Sequence, residues 1–212
     1  MQPSPAHFAL AERMGASSAA SSIIRYIGAG DRRGLKLESY GTNFRNSAEA
    51  TRRTCEIMAR LVWAGVGMPS IAGAADAIRA ASWTSGEPLA VELHRWVKAH
   101  VRYVPDEEQL EQGEWGRELL IAPELLLRME TPQGDCDDFT MVVCCLAISL
   151  GMKAKFVAVA LEPEQPERFS HIFAMVLDKI GGIWQWVNID ASHGWCAGWE
   201  IDGQFMRYER EL

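Results

Sequence analysis

A cysteine, a histidine and an aspartate in the second half of the chain have the types and settings that thiol chemistry requires. Cys136 lies in Gln133-Gly134-Asp135-Cys136-Asp137-Asp138-Phe139, where a turn runs into an apolar, helix-compatible stretch. A thiol at a helix N-terminus meets unpaired N–H groups and the positive end of the helix dipole, and both favour thiolate. With a protonated histidine nearby, such settings bring a cysteine pKa from about 8.5 into the ~3.5–7.5 range. The three flanking aspartates oppose this, since like charge disfavours thiolate. They are expected to cap the helix or pair with arginines rather than touch the sulfur. Cys144 and Cys145, inside the apolar run, read as inert core thiols. The five cysteines show neither a disulfide ladder nor a CxxC metal pattern.

A thiol nucleophile needs a base to take and return its proton, and a third group to hold that base in one tautomer. His171, in Phe169-Ser170-His171-Ile172-Phe173, and Asp190, ending Trp186-Val187-Asn188-Ile189-Asp190, supply those types. Taken singly, each is as well explained by an ordinary strand histidine and a turn aspartate. They flank a Gly181-Gly182 turn, however, 10 residues before it and 8 after it, so a hairpin would make them near cross-strand neighbours. His193 is a competing base, but Ser192-His193-Gly194 reads as a turn. His94 and His100 read as surface residues of a helix.

The elements that must position these residues follow from the apolar periodicity. Residues 1–45 are rich in Gly, Ser and Ala with weak patterning, and are expected to form an arm, irregular or ordered by a partner. Asn46 and Glu49 form a capping box before Ile57, Leu61 and Val62, a helix ending near Gly65–Gly67. Further helices are expected over 70–82, from Glu87-Pro88 through Val97, over 123–129, and from Cys136 to Leu150, closed by Gly151. Residues 106–120 are acidic and read as a loop. After Gly151 the period becomes that of strands: Lys153–Leu161, His171–Leu177 and Ile183–Asp190, then a terminal hairpin about Asp202-Gly203. Helices over 46–150 followed by an antiparallel sheet over 151–212 define an α+β domain covering 46–212.

From Glu87 to Ser192 the chain resembles the transglutaminase-like superfamily, especially its bacterial and bacteriophage branch. The resemblance rests on Val101-Arg102-Tyr103-Val104, Glu118-Leu119-Leu120 to Pro123-Glu124, Gly134-Asp135-Cys136-Asp137-Asp138, Leu150-Gly151-Met152, Phe169-Ser170-His171-Ile172 and Trp186-Val187-Asn188-Ile189-Asp190. It implies a papain-like core, the nucleophile helix packed on an antiparallel sheet, with an N-terminal helical extension. It also implies Cys136 as nucleophile, His171 as base and Asp190 as its orienting partner. Family members transfer acyl groups of amides or esters with neither metal nor organic cofactor. Relatives commonly continue the Asp strand into Pro-Thr, whereas Ala191-Ser192-His193 follows here. The backbone N–H of Cys136 is a natural oxyanion donor, and the second donor is either Gln133 or the Tyr103 hydroxyl.

Composition narrows the function. The 212 residues are 48% hydrophobic and 23% charged with net charge −7, which excludes a basic nucleic-acid footprint. The longest apolar run, Met141–Met152, is too short to span a bilayer, and no secretory leader pattern opens the chain. Two functions stay open. One is a cysteine acyl-transfer enzyme of the cytoplasm acting on peptide or protein amides, by hydrolysis or transamidation. The other is a phage or prophage virion-assembly protein that keeps the fold with little catalysis and binds phage structural proteins through the 1–45 arm. Its eight tryptophans, four of them near the Asp strand, suit either a cleft wall or an interaction surface.

Overall fold

The computed structural model describes residues 22–28, 36–37, 40–42, 47–105 and 118–212. Three helices come first: α1 (Ser47–Gly65), α2 (Pro69–Ser85) and α3 (Leu89–His100). Pro69 opens α2, where its missing N–H costs nothing, and Gly86 ends it in the left-handed conformation at φ 74°. Pro88 precedes α3 and offers no side-chain cap. The cap comes instead from the sheet, because the buried Asp178 carboxylate accepts the Ala90 N–H at 2.8 Å. An anion there also opposes the helix dipole favourably.

The helix α5 (Cys136–Ser149) is the centre of the molecule; Phe139 and every residue from Met141 to Ala147 are buried. Its apolar residues cover the whole circumference, as a helix enclosed on all sides requires. Around it lie α1, α2, α3, the short α4 (Pro123–Leu127) and one face of a sheet. Gly151, with φ 84°, closes α5 in a Schellman arrangement: the Gly151 N–H bonds Ile148 and the Met152 N–H bonds Ala147.

That sheet has the order β10-β7-β8-β9, all antiparallel, from β7 (Lys153–Ala160), β8 (His171–Ile180), β9 (Ile183–Ile189) and β10 (Met206–Glu211). Phe156, Ala158, Ile172, Ala174, Val187 and Ile189 join the main core with α5. Val157, Val159 and Phe173 form a smaller cluster on the opposite face. Gly181 and Gly182, with φ 60° and 88°, make the tight turn between β8 and β9, both in the left-handed region that such a turn demands. The α+β class, the helix beginning at Cys136 and the antiparallel sheet it packs on are as expected.

Some details differ. The expected terminal hairpin does not form: the chain after Asp202-Gly203 does become a strand, but β10 pairs with β7 and not with Trp199–Ile201. The edge of β7 has a full row of backbone groups to satisfy, and six register pairs exceed what a three-residue arm offers. Residues 118–120, expected as loop, belong to β5 (Glu118–Ile121), which runs parallel to β1 (Ser22–Gly28). β1 also pairs with β2 (Lys36–Leu37) and β3 (Tyr40–Thr42), inside the expected arm. The rest of residues 1–45, the capping residue Asn46 and the acidic stretch 106–117 lie outside the described residues. Among the described residues no single helix is long and apolar enough to cross a membrane; α1 and α2 pass only as a pair bent by 81°.

Candidate active site

Two short strands lead to the nucleophile position. β4 (Arg102–Tyr103) pairs in parallel with β6 (Gln133–Gly134), matching Arg102 with Gln133 and Tyr103 with Gly134. The Val104 N–H bonds the Gly134 carbonyl at 2.9 Å, so both proposed oxyanion donors lie beside the residues that enter α5. Asp135 is the N-cap of α5, its carboxylate accepting the Asp137 N–H at 3.1 Å. Asp138 is fully buried and accepts the Ile121 N–H at 2.8 Å, tying the first turn of α5 to β5. Asp135 caps the helix as expected, whereas Asp138 holds a strand N–H. Asp137 departs from expectation, because its Oδ1 accepts from the Cys136 thiol at 3.7 Å. Adjacent first-turn residues leave that carboxylate within reach of the sulfur.

Cys136 is partly buried, whereas Cys55, Cys144 and Cys145 are fully buried. Burial pushes the Cys55 and Cys145 thiols up to about 12, and the Cys144 thiol well above its ordinary value. These three are core residues without access to a substrate. Cys196 is exposed, in the loop after β9.

His171 is the first residue of β8, and the register of β8 with β9 carries Asp190 opposite Phe173, a diagonal neighbour of His171 on the same face. The outcome is a buried pair: His171 Nε2 lies 2.7 Å from Asp190 Oδ2, the residues 7% and 3% exposed. Burial alone would raise the Asp190 pKa from its ordinary 3.8. The hydrogen bond and charge of His171, the His193 N–H and the Ser192 hydroxyl outweigh it and hold the carboxyl at about 2. Asp190 Oδ1 accepts from Ser192 Oγ at 2.7 Å and from the His193 N–H at 3.0 Å. With Nε2 committed to Asp190, Nδ1 is the remaining ring nitrogen of His171.

Packing brings the start of α5 and the start of β8 together. Thr140, one turn along α5 from Cys136, donates to the Ile172 carbonyl at 3.2 Å, so the N-terminal end of α5 lies against the start of β8. Aromatic contacts close the ring of residues: Tyr103 packs on Phe139 of α5 at 6.2 Å and edge-on to His193 at 5.0 Å. The His193 ring in turn stands edge-on to His171 at 4.9 Å.

His193 is therefore at the site, in the turn expected for it. Burial, and then the His171 and Lys98 charges, lower its pKa against the pull of Asp190. His94 corrects an expectation: it is 3% exposed and not on the surface. Burial and Lys98 lower its pKa, while the backbone of Asp190 and Gly194 beside its ring works the other way. Its helical spacing from Ala90 and Lys98 was the available signal, but a polar residue in an amphipathic pattern reads as exposed unless its partner is known. Of the four tryptophans near the Asp strand, Trp184 and Trp195 are exposed, Trp186 lies under Lys155 Nζ at 4.5 Å, and Trp199 packs against Gly194. His171, Asp190 and His193 bring ligand-type atoms within 4.8 Å of one another, as do Asp135, Cys136 and Asp137. In the first set the His171 ring is already bonded to Asp190 and the His193 ring to Ser192.

A helix-borne cysteine against an antiparallel sheet with a His–Asp pair defines a cysteine-based acyl-transfer or protease-like fold. A family model for the transglutaminase-like superfamily matches residues 72–199, which takes in every residue of this site. The chain belongs to the transglutaminase-like superfamily. No curated protein and no solved structure matches it.

Proposed function

We propose that the protein is a cysteine-dependent acyl-transfer enzyme acting on peptide or protein amides, with Cys136 as nucleophile, His171 as base and Asp190 as its orienting partner. The buried His171–Asp190 hydrogen bond of 2.7 Å supports this reading most directly. It presents a single tautomer from the strand end against which the Cys136 helix packs.

In the first half-reaction the Cys136 sulfur bonds to the amide carbon and its proton passes to His171 Nδ1. The carbonyl electrons move to oxygen, met by the Cys136 backbone N–H and by either Gln133 or the Tyr103 hydroxyl. Collapse breaks the C–N bond, the amine leaves with the His171 proton, and a thioester remains. Water or a second amine then attacks the thioester, its proton again taken by His171, and the thiol is regenerated. Asp190 stays ionised throughout and stabilises the imidazolium.

The test is alkylation of Cys136 by iodoacetamide, read peptide by peptide by mass spectrometry. It is paired with turnover of a peptide amide in the presence and absence of a primary amine. Wild type is expected to alkylate at Cys136 faster than at the exposed Cys196, and to release amine. Cys136→Ala should abolish turnover with an unchanged circular dichroism spectrum. Turnover surviving in Cys136→Ala would refute the assignment.

A further inference from the structure

Asp190 is held by the turn that follows it, and that turn is held by α3. The Gly194 N–H bonds the Asp190 carbonyl at 2.8 Å, while Ser192 and His193 bond the Asp190 carboxylate. A side chain at Gly194 would strike the Asp190 carbonyl and approach the Trp199 ring to 3.2 Å, so the turn closes tightly only with glycine there. From α3, Lys98 Nζ donates to the Gly194 carbonyl at 2.6 Å, and the buried His94, one turn earlier on the same face, has the backbone of Asp190 and Gly194 beside its ring, which acts to raise its pKa.

Ala90, His94 and Lys98 follow one another at four-residue spacing and share one face of α3. Ala90 is bonded by Asp178 of β8, and His94 and Lys98 meet the turn after β9. The helix is thus fastened to the catalytic hairpin at both ends of that face.

His94 is an unfavourable choice for stability alone. It is a buried imidazole whose Nε2 has no hydrogen-bond partner, so its desolvation is only half compensated. Its ring lies beside the Asp190–Gly194 backbone. The carbonyls there have other donors, the Gly194 N–H and Lys98 Nζ. An apolar side chain of similar volume would leave no carbonyl orphaned and would remove the unpaired nitrogen.

We propose that His94, with Lys98, is a positioning residue that fixes the Asp190 turn, and through it the tautomer and orientation of His171. It touches neither substrate nor thiol. The inference rests on the catalytic reading of His171 and Asp190, and adds two groups on α3 that set their geometry.

The experiment compares His94→Met, His94→Asn and Lys98→Met with wild type in the full chain. Three quantities are read: the melting temperature, the Asp190 carboxyl titration by carbon NMR, and the alkylation rate at Cys136. His94→Met is expected to melt at or above the wild-type temperature. Its Asp190 is expected to titrate at least one pH unit higher, as the His171 and His193 hydrogen bonds loosen, and Cys136 alkylation should fall at least tenfold. His94→Asn, whose amide keeps a polar group beside that backbone, should restore most of both. Lys98→Met should move the same two quantities in the same direction by less.

A wild-type Asp190 titration in His94→Met overturns the proposal, and so does a loss of folding in that variant, which would make His94 a stability residue. A wild-type protein whose Cys136 alkylates no faster than Cys196 overturns the catalytic reading instead. The carboxyl titration still reads the positioning in that case.

Discussion

Gly134 precedes the nucleophile helix by two residues, and replacing it with alanine tests how tightly that approach is built. A Cβ at Gly134 would lie 2.5 Å from Asp138 Cβ and 2.8 Å from Asp138 Cγ. Asp138 Cβ is anchored to the α5 backbone and cannot rotate away, so β6 or α5 must shift. Overpacking of this kind costs about 1–3 kcal/mol. The displaced Asp138 carboxylate also accepts the buried Ile121 N–H at 2.8 Å, and losing a hydrogen bond to a charged group costs about 1.5–3 kcal/mol. The two together come to roughly 2.5–6 kcal/mol, a fall in melting temperature of about 5–24 °C at roughly 2–4 °C per kcal/mol. Urea unfolding followed by tryptophan fluorescence measures the first quantity, and amide exchange at Ile121 reports the second. Gly67 is the control: it has a positive φ of 78° but nothing within 4 Å of its added Cβ, so Gly67→Ala meets backbone strain only, about 1–2 kcal/mol. A Gly134→Ala loss below 1 kcal/mol with unchanged Ile121 exchange would refute the reasoning.

Other outcomes follow from the same structure. Asp190→Asn should leave the fold intact but slow Cys136-dependent turnover by about 10²–10⁴-fold, since an amide no longer selects the His171 tautomer; unchanged kcat would contradict the orienting role. The Asp190 carboxyl is held at about 2 against an ordinary 3.8, so it contributes about 2 kcal/mol of stability that is present above pH 3.8 and lost as pH falls through 2. That increment should vanish from urea titrations of Asp190→Asn between those pH values. His94 and His193 both have lowered pKa values, so the unfolded chain takes up protons below about 6.5 before the native state does. Their share of stability is therefore lost as pH drops below about 6.5, and His94→Met should flatten that part of the stability–pH curve. In the core, Leu146→Ala removes a fully buried side chain from α5 and should cost about 2–5 kcal/mol by denaturant unfolding.

Much of this arrangement is legible in the chain because local chemistry determines it. Apolar periodicity marks α1, α2, α3 and α5, and the change to alternation after Gly151 marks β7 to β9. Gly181-Gly182 specifies a tight turn, which sets the β8–β9 register and so brings Asp190 diagonally across from His171. Cys136 follows from the N-terminal boundary of a helix, and Asp135 from its capping preference. These features depend on neighbours within a few residues, or on pairing across one short turn.

What the tertiary structure alone decided involves partners far apart in the chain. Asp178 caps a helix 88 residues earlier, Asp138 holds the Ile121 N–H from 17 residues away, and Lys98 reaches the Gly194 carbonyl across 96. A polar side chain carries no sign in sequence of which distant backbone group it will satisfy, so His94 reads as exposed until Asp190 and Gly194 are seen against it. The strand β10 is the same case in backbone form: its residues fit a local hairpin, but the open edge of β7 offers more hydrogen bonds. The helix start at Cys136 and the pairing of His171 with Asp190 were therefore readable from local signals. Their fixation, by the β4–β6 approach to Cys136 and by α3 behind Asp190, came only from long-range closure of backbone and charge that no local pattern encodes.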